Sequence, residues 1–344
     1  MILTVIGARP QFIKAAPVSQ AMRAAGMEET VLHTGQHFDY EMDRVFFEEL
    51  KMPYPALNLQ AGGRSHGVQT AQMLKGVEDA IGNIKPDAVL IYGDTNSTLA
   101  AALAAAKMHV PVAHVEAGLR SYNMRMPEEV NRRLTDHVSS YLFCPSKAAV
   151  DNLKKEGITD GAYVVGDVML DAFQLFQAEA VKRSLPRHVE ESYYLFTVHR
   201  PSNVDDLQRL TAIVSELKTI GDMVVWPVHP RVKNILKKIE LPKNVQLLSP
   251  QSYLSNIRLL MGAKALITDS GGMQKEAYWA KTPCVTIREE TEWVETLEND
   301  WNRLVVEPSD LLNALQQNPG EWKPLYGDGH AADRIVRVLK GEWY

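Results

Sequence analysis

The stretch ALITDSGGMQKEA, residues 265–277, is the most informative part of the chain for both fold and function. Its apolar start predicts a strand and its end predicts a helix, so the chain turns at Ser270-Gly271-Gly272. Such a turn directs unpaired backbone N–H groups, and the positive end of the helix dipole, at whatever lies in front. The stretch therefore predicts an anion-binding site after a parallel strand.

The same alternation of short apolar runs and helical segments extends through the rest of the chain. Helices are predicted at residues 11–24 and 96–107, among others. Strands are predicted at residues 2–6, 30–33, 88–92, 112–115, 141–144, 163–165, 194–197, 223–227, 245–248, 265–268, 284–286 and 302–305. Alternation of this kind predicts parallel sheets with helices on both faces, and ligands that bind beyond the carboxyl ends of the strands.

The length of 344 residues exceeds the usual size of one domain and predicts two. We expect an α/β protein with two Rossmann-like, doubly wound parallel-sheet domains that face each other across a cleft. The boundary is expected after the VGDV segment at 165–168, which gives domains of residues 1–168 and 169–329. The final helical segment, residues 330–344, is expected to pack back on the first domain.

Composition narrows the class of protein. The formal charge is -5 and Lys and Arg form no blocks, so nucleic acid is not expected as a partner and an anion site needs a local group of cations. Cys144 and Cys284 lie in apolar, strand-like runs, which favours buried free thiols in a reducing compartment. The longest apolar stretch, residues 99–106, is too short to span a membrane. We therefore expect a cytoplasmic protein with no membrane partner.

Two cations and a carboxylate follow the predicted strands of the first half. Arg9 and Lys14 come after the first strand and are placed to flank a diphosphate, or alternatively to lie solvated on the surface. This turn lacks both the Gly-x-Gly-x-x-Gly spacing and the Walker lysine. Asp94 follows another apolar strand, where it is either a functional carboxylate or a helix N-cap.

Further polar residues follow the remaining strands. Glu116 ends a buried strand, where burial would raise its pKa and a neighbouring cation would lower it. Glu128 opens a helix, where a carboxylate is also favoured simply by the helix dipole. His199 follows the first strand of the second half and is a candidate ligand-binding or catalytic residue. All these residues fall at the carboxyl edge of their sheet, which favours function over chance.

Neither a metal site nor a Ser-His-Asp catalytic triad has much support in the sequence. The chain has no cysteine cluster and no Asp-x-Asp run, so no metal site is predicted. Ser270 lies in Asp-Ser-Gly-Gly and not in a Gly-x-Ser-x-Gly elbow, so a Ser-His-Asp triad is not predicted either. Neutralisation of a bound diphosphate would depend on Arg, Lys, His and the helix terminus.

These motifs, taken in order, resemble those of the non-hydrolysing UDP-N-acetylglucosamine 2-epimerases. The resemblance runs from residue 1 to about residue 335. It rests on GARP at 7–10 with Lys14, GQH at 35–37, YGDT at 92–95, HVEAGLR at 114–120, PEEVNR at 127–132, HR at 199–200, PVHP at 227–230, TDSGG at 268–272 and YGDG at 326–329.

The resemblance implies the GT-B fold of two-domain nucleotide-sugar glycosyltransferases and glycogen phosphorylase, usually as a homodimer. It implies interconversion of UDP-N-acetylglucosamine and UDP-N-acetylmannosamine, with no cofactor and no metal, for synthesis of bacterial surface polysaccharides. The C2 proton is removed while the C1–O bond to UDP breaks, which gives a 2-acetamidoglucal. The proton then returns on the opposite face and UDP adds back.

The resemblance also implies roles for individual residues. It makes Asp94, Glu116 and Glu128 the candidates for proton transfer, without assigning which is acid and which is base, and places His199 beside the diphosphate or the sugar. The implied substrate- and UDP-binding set is Arg9, Lys14, Arg132, Gln251, Ser270, Gly271, Gly272 and Glu276, with Glu276 accepting hydrogen bonds from the ribose. The implied site for an activating second UDP-sugar includes Gln36, His37 and His229.

One departure bears on the substrate. The family pattern Arg-Asp-x-Thr-Glu-Arg-Pro-Glu reads REETEWVE at residues 288–295, so Trp293 replaces an arginine associated with the ligand. The tryptophan version resembles relatives that epimerise UDP-2,3-diacetamido-glucuronate or UDP-6-deoxy-N-acetylhexosamines, so the decoration of the sugar stays open. The sequence also leaves open a GT-B glycosyltransferase, a non-catalytic nucleotide-sugar sensor and a hydrolysing epimerase.

Overall fold

A computed structural model describes residues 1–36 and 47–342, apart from the side chains of Pro230 and Arg231. The chain divides into two compact units, Met1–Leu175 with Tyr326–Tyr344 and Phe176–Leu325. Each unit is built on one parallel sheet, so the predicted fold class of two parallel-sheet α/β units is confirmed.

The sheet of the first unit has the order β3-β2-β1-β4-β5-β6-β7, and all its pairings are parallel. Its strands are β1 (Ile2–Ile6), β2 (Glu29–His33), β3 (Leu57–Asn58), β4 (Ala88–Tyr92), β5 (Val112–Val115), β6 (Tyr141–Cys144) and β7 (Ala162–Val164). Its helices are α1 (Arg9–Ala24), α2 (His66–Ile84), α3 (Asn96–Lys107), α4 (Pro127–Val138), α5 (Lys147–Lys155), α6 (Val168–Val181), which continues into the second unit, and α13 (Ala331–Leu339).

The sheet of the second unit has the order β10-β9-β8-β11-β12-β13 and is also entirely parallel. Its strands are β8 (Tyr193–Thr197), β9 (Met223–Pro227), β10 (Val245–Leu248), β11 (Leu266–Thr268), β12 (Cys284–Thr286) and β13 (Asn302–Leu304). Its α-helices are α7 (Pro201–Val204), α8 (Leu207–Glu216), α9 (Pro230–Lys233), α10 (Tyr253–Gly262), α11 (Gly271–Trp279) and α12 (Leu311–Gln316), and its 3-10 helices are Leu217–Ile220, Leu236–Lys238, Val294–Asp300 and Pro308–Asp310.

The central strands β1, β4 and β5 are apolar runs interrupted only by Thr4 and His114, because both of their faces are covered. Every residue of β1, β4 and β5 is buried. In the second unit, the Phe196 and Trp226 rings pack edge to face with centroids 4.6 Å apart in the core. Burial of side chains of this size contributes about 2–3 kcal/mol each to the stability of the fold. Because a shift in register would expose these side chains, their burial fixes the positions of the strands and of the polar turns that follow them.

The start of one helix and one additional strand differ from the prediction for identifiable reasons. Helix α1 begins at Arg9, two residues before the predicted start, because the Gln11 side chain accepts hydrogen bonds from the N–H groups of Gly7 and Ala8 and so caps the helix. Strand β3 was not predicted, because its two residues, Leu57 and Asn58, are exposed at the edge of the sheet and carry no apolar pattern.

Each sheet changes its winding direction at one point. In the first unit β1 lies between β2 and β4, and in the second β8 lies between β9 and β11. At each of these points, β1/β4 in the first sheet and β8/β11 in the second, two neighbouring loops leave the carboxyl edge in opposite directions. The divergence of the two loops opens a crevice for a ligand in each sheet. Most of the predicted site residues lie near these two points.

Candidate active site

A buried ion pair lies at the switch point of the first sheet. Lys14, on α1, contacts the carboxylate of Glu116, which follows β5, and both side chains are mostly buried. Burial alone would lower the pKa of Lys14, but the negative charges of Glu116 and Asp94 outweigh it and raise that pKa. The alternative that Lys14 is a solvated surface residue is therefore wrong.

The backbone around this pair is specialised. Glu116 has a left-handed φ of 71°, which aims its side chain back toward the turn after β4. Gly93, in that turn, has a φ of 65°, and a Cβ there would lie 3.4 Å from Lys14 Nζ and 3.5 Å from Glu116 Oε2. A Cβ at these distances would make ordinary van der Waals contacts, so glycine is favoured at position 93 by its left-handed φ and not by a lack of space.

Asp94 follows Gly93 and is held by helix α4. Its carboxylate contacts the guanidinium of Arg132, and its backbone carbonyl accepts a hydrogen bond from Asn131 Nδ2 at 2.9 Å. Desolvation raises the pKa of Asp94, while the positive charges of Arg132 and Lys14 oppose the rise. The alternative that Asp94 caps α3 is wrong, because the Thr95 side chain accepts the capping bond from the Thr98 N–H.

Glu128 lies exposed in the first turn of the same helix, one turn before Arg132. An open, shallow pocket of about 540 Å³ is lined by the first residues of three helices, His66, Asn96 and Pro127, together with Val130 and with Asn131, whose Nδ2 donates to the Asp94 carbonyl. Its volume is within the range of small-molecule sites.

The remaining predicted residues of this unit lie near the same edge. Arg9 is the first residue of α1 and is partly exposed. Gln36 Oε1 accepts hydrogen bonds from the N–H and hydroxyl of Ser97, at 3.0 and 2.7 Å, at the start of α3. His37, predicted for a second UDP-sugar, lies outside the described residues.

In the second unit, Asp269 organises the switch point. Its buried carboxylate accepts bonds from the backbone N–H groups of His199, at 3.0 Å, and Arg200, at 2.9 Å, and from Asn203 Nδ2 at 3.1 Å. His199 Nδ1 lies 3.0 Å from Asp269 Oδ1. Although burial opposes it, these contacts lower the pKa of Asp269. The negative charge therefore orients the His199 ring, whose centroid lies 5.6 Å from that of His229.

The SGG turn forms the start of α11. Ser270 is the N-cap residue, and Gly271 and Gly272 are the first two helical residues. A Cβ at Gly271 would lie 2.3 Å from Glu292 Oε1, whereas one at Gly272 would meet no atom within 4 Å. The turn therefore carries the N-terminal N–H groups of a helix, which favour an anion, and Gly272 has open space on its Cβ side.

Helix α11 also carries two buried charged residues. Burial raises the pKa of Glu276 to about 7, against the opposing effects of Lys275 and a hydrogen bond from Tyr253. Lys275 Nζ lies 3.8 Å from the centroid of the Trp293 ring, in a cation–π contact. Trp293 thus lies against the helix of the SGG turn, where an arginine would place a second positive charge beside Lys275.

Two further predicted residues of this unit follow strands β10 and β9. Gln251 precedes α10, and its Nε2 donates to the Ser249 carbonyl at 2.7 Å. His229 is exposed after β9. The structure thus groups Lys14, Asp94, Glu116 and Arg132 in the first unit, and His199 with the loop of Ser270 in the second.

Sequence reasoning assigned no role to Asp269 or Asn131, although both stand inside quoted motifs. The available signal for Asp269 was a carboxylate directly after a buried strand and before the SGG turn. Asn131 gave a weaker signal, because its bond to Asp94 joins residues 37 positions apart.

The cysteines, the potential metal ligands and the lengths of the helices complete the description of this part of the chain. Both cysteines are buried free thiols, as predicted. In residues 1–36 and 47–342, no group of three or more His, Cys, Asp or Glu side chains is placed to hold a metal ion. Within the same ranges, the helices are too short or too polar to cross a membrane.

Comparison with known proteins identifies the family. Residues 20–340 match the family described as UDP-N-acetylglucosamine 2-epimerase. The chain belongs to this epimerase family. The curated "UDP-N-acetylglucosamine 2-epimerase homolog" of Methanococcus maripaludis is 47% identical, with 98% of this chain and 99% of the relative covered.

Two further relatives bear on substrate and fold. A UDP-2,3-diacetamido-2,3-dideoxy-D-glucuronate 2-epimerase of Pseudomonas aeruginosa is also 47% identical, with 98% of this chain and 99% of the relative covered. The crystal structure of the Methanocaldococcus jannaschii UDP-GlcNAc 2-epimerase, in complex with UDP-GlcNAc and UDP, has a TM-score of 0.89 and is 40% identical, covering 99% of this chain and 100% of that one. The predicted epimerase family is thus confirmed.

Proposed function

We propose that this member of the epimerase family interconverts UDP-N-acetylglucosamine and UDP-N-acetylmannosamine without releasing the free sugar. The observation that carries the proposal is the pairing of Asp94 with Arg132, and of Glu116 with Lys14, around one turn at the switch point of the first sheet. Two carboxylates and two cations at one crevice supply both proton transfer and charge stabilisation.

The reaction needs both kinds of group. The C2 proton of the sugar is only weakly acidic, so its removal must be coupled to breakage of the C1–O bond. The electron pair of the C2–H bond then forms the double bond of a 2-acetamidoglucal, and the C1–O electrons leave with UDP. Return of a proton to the other face of C2, with re-addition of UDP at C1, completes the inversion.

We assign the proton transfers to Asp94, Glu116 and Glu128, without ordering them. A carboxylate whose pKa is raised by desolvation, such as Asp94, is a better base than an exposed one. Each positioned acid or base is expected to contribute about 10²- to 10⁴-fold to the rate.

Binding of UDP is assigned to cations and to the SGG turn. Arg9, Lys14 and Arg132, with His199, would neutralise the diphosphate. The Ser270 hydroxyl and the N–H groups of Gly271 and Gly272 would bind its oxygens, because the Ser270 N–H already donates to Thr268 Oγ1 at 3.0 Å. Glu276 would accept hydrogen bonds from the ribose, and Gln251 would contact the nucleotide.

We also propose that the protein is a homodimer, which light scattering tests. We propose further that Gln36, His37 and His229 bind an activating UDP-sugar, which saturation kinetics test.

A second candidate is epimerisation of a modified UDP-sugar such as UDP-2,3-diacetamido-glucuronate. It is favoured by Trp293, which lies against α11 in place of a family arginine. The Pseudomonas relative named for that activity supports it as well.

One NMR assay tests both candidates. The protein is incubated with UDP-N-acetylglucosamine, and separately with 3-acetamido, 6-deoxy and uronate analogues, and the anomeric protons of the sugars are followed. We expect an equilibrium mixture of two UDP-sugars that differ at C2, and a rate lower by about 10²- to 10⁴-fold with Asp94→Asn. Asp79→Asn, which removes an exposed carboxylate on α2, is the matched control and should leave the rate unchanged. Release of a free hexosamine, or no change with any analogue, would overturn the proposal.

A further inference from the structure

The side chain of Gln11, in the first turn of α1, is buried and uses both ends of its amide. Its Oε1 accepts hydrogen bonds from the N–H groups of Gly7, at 2.7 Å, and Ala8, at 3.1 Å. Its Nε2 donates to the Tyr92 carbonyl at 2.7 Å. These partners decide the orientation of the amide, because a backbone N–H only donates and a backbone carbonyl only accepts.

The nitrogen of this amide also contacts two hydroxyl groups. It lies 3.1 Å from Thr95 Oγ1 and 3.0 Å from Thr98 Oγ1. Tyr92 and Thr95 are the residues on either side of the segment Gly93-Asp94. The amide nitrogen therefore holds both ends of the short turn that carries Asp94.

Capping of α1 needs only the oxygen of the Gln11 side chain. A glutamate in the first turn caps a helix through its carboxylate just as well, but a carboxylate cannot donate to the Tyr92 carbonyl. That donation joins residues 81 positions apart, from α1 to the end of β4. Gln11 thus connects the turn after β1 with the turn after β4, and these two strands are neighbours in the sheet.

We propose that Gln11 is a positioning residue that fixes Arg9 relative to Asp94 across the switch point of the first sheet. Arg9 directly follows the two N–H groups that the amide oxygen binds, and Asp94 lies between two residues that the amide nitrogen binds. The inference rests on the proposed function, in which Arg9 binds the diphosphate and Asp94 takes part in proton transfer. One neutral side chain then sets the distance between the leaving UDP and a group that acts at C2.

The packing of Gly7 supports this role independently. A Cβ at Gly7 would lie 1.9 Å from Thr34 Oγ1 and 2.4 Å from Ser97 Oγ, and both of these side chains are buried. Ser97 lies in the first turn of α3, the helix that follows the turn of Asp94. The turn before Arg9 is therefore packed directly against the start of that helix, so a displacement of one is passed on to the other.

Loss of the amide would disturb both turns. The N–H groups of Gly7 and Ala8 would lose this acceptor in a buried place, and the Tyr92 carbonyl would lose this donor, so the backbone would move toward other partners. A displacement of about 1 Å at a reacting group is enough to lower a rate by about 10²-fold.

The substitution Gln11→Met tests the role, because methionine is also unbranched and of similar length but has no amide. The Kd for UDP is measured by calorimetry, and kcat and KM are measured with the accepted UDP-sugar. We expect the Kd for UDP to rise about tenfold and kcat to fall about 10²-fold. The matched control is Gln20→Met on the same helix, which removes a bond to the Leu50 carbonyl and should leave both values unchanged.

Double-mutant cycles separate positioning from a general loss of stability. If Gln11 acts through Arg9, Gln11→Met should weaken UDP binding in the wild-type background and change it little in the Arg9→Met background. Likewise, Gln11→Met should lower kcat less in the Asp94→Asn background than in the wild type. Losses of equal size in all backgrounds would show a purely structural effect and overturn the proposal, as would unchanged values in Gln11→Met alone.

Two further variants keep the test decisive if Gln11→Met does not fold. Gln11→Glu keeps the length of the side chain and an acceptor for the Gly7 and Ala8 N–H groups, whereas Gln11→Asn is one methylene shorter and cannot reach both turns. We expect Gln11→Glu to bind UDP as the wild type does and Gln11→Asn to bind it about tenfold more weakly. Equal Kd values for the two variants would overturn the proposal.

Failure of the proposed function would look different from failure of this inference. A wild-type protein that binds UDP but epimerises no UDP-sugar would count against the proposed function. The UDP-binding cycle of Gln11 and Arg9 would still decide whether the buried amide positions the arginine.

Discussion

The carboxylate of Asp269 binds His199 twice, through the backbone N–H at 3.0 Å and through Nδ1 of the ring at 3.0 Å. One fully buried negative charge therefore fixes both the loop after β8 and the imidazole that it carries. The side chain of His199 is 40% exposed, so its free face is available to a ligand.

Replacement of this carboxylate should have an effect on stability that depends on pH. Asp269→Asn is expected to lower the free energy of unfolding by about 2 kcal/mol at neutral pH, because bonds to a charged acceptor are lost. The folded-state pKa of Asp269 lies below its ordinary value of 3.8, so its contribution is present above that pH and fades as pH falls below it. Urea denaturation from about pH 3 to about pH 7 measures this.

The control for Asp269 is Asp222→Asn, which removes a partly exposed carboxylate from an ion pair with Lys264. It should cost less than about 1 kcal/mol. A loss for Asp269→Asn that stayed constant down to about pH 3 would contradict this role of the carboxylate.

Glu276 should show the opposite dependence on pH. Its pKa is raised to about 7 by burial, so ionisation is opposed in the folded protein and stability should fall as pH rises from about 5 to 8. Glu276→Gln removes this loss and should gain stability relative to wild type over the same range, by about 3 kcal/mol at most. Equilibrium unfolding at several pH values between about 5 and 8 gives the comparison, with exposed Glu78→Gln as the control. A flat difference between Glu276→Gln and wild type would refute the prediction.

The buried pair of Lys14 and Glu116 should behave as a unit. Lys14→Met leaves the carboxylate desolvated without its partner and is expected to cost about 3 kcal/mol. The double change Lys14→Met with Glu116→Leu should be more stable than the sum of the single effects predicts, while remaining inactive. A double-mutant cycle from denaturation curves measures the coupling, and strictly additive losses would show that the two side chains do not form a coupled pair.

Trp293 should resist replacement by the family arginine. Trp293→Arg brings a second cation against Lys275 and removes a cation–π contact, which we expect to cost about 2 kcal/mol. Trp293→Phe keeps an aromatic face and should cost less, and Trp293→Arg combined with Lys275→Met should recover part of the loss. Thermal denaturation of the three variants is the measurement. Equal stability of Trp293→Arg and wild type would mean that the two side chains are not in contact.

The sequence predicted the sheets well because their central strands are covered on both faces. Strands such as Ala88–Tyr92 and Val112–Val115 are apolar runs interrupted only by His114, with Gly93 after the first and Pro111 before the second, so their bounds could be read directly. The edge strand Leu57–Asn58 could not be read, because two exposed residues give no apolar pattern.

The candidate site was predictable only in part. The turns after the strands pointed to Asp94, Glu116 and the SGG segment, but their partners come from distant positions that only the fold brings together. Lys14 is 102 residues from Glu116, and Asp136 is 22 residues from His114. No periodicity or local spacing reports such pairs, which is why Lys14 could also be read as a surface residue.

Proton exchange at C2 of the sugar decides whether the proposed elimination and re-addition of UDP take place. Purified protein is incubated with UDP-N-acetylglucosamine and, in parallel, with the 3-acetamido uronate analogue in deuterated water, and the recovered UDP-sugars are analysed by NMR and mass spectrometry. We expect one deuterium at C2 in both epimers of the accepted substrate, with the bond to UDP intact in the recovered sugars. Epimers formed without deuterium, or unlabelled starting material with every substrate, would contradict the proposed chemistry.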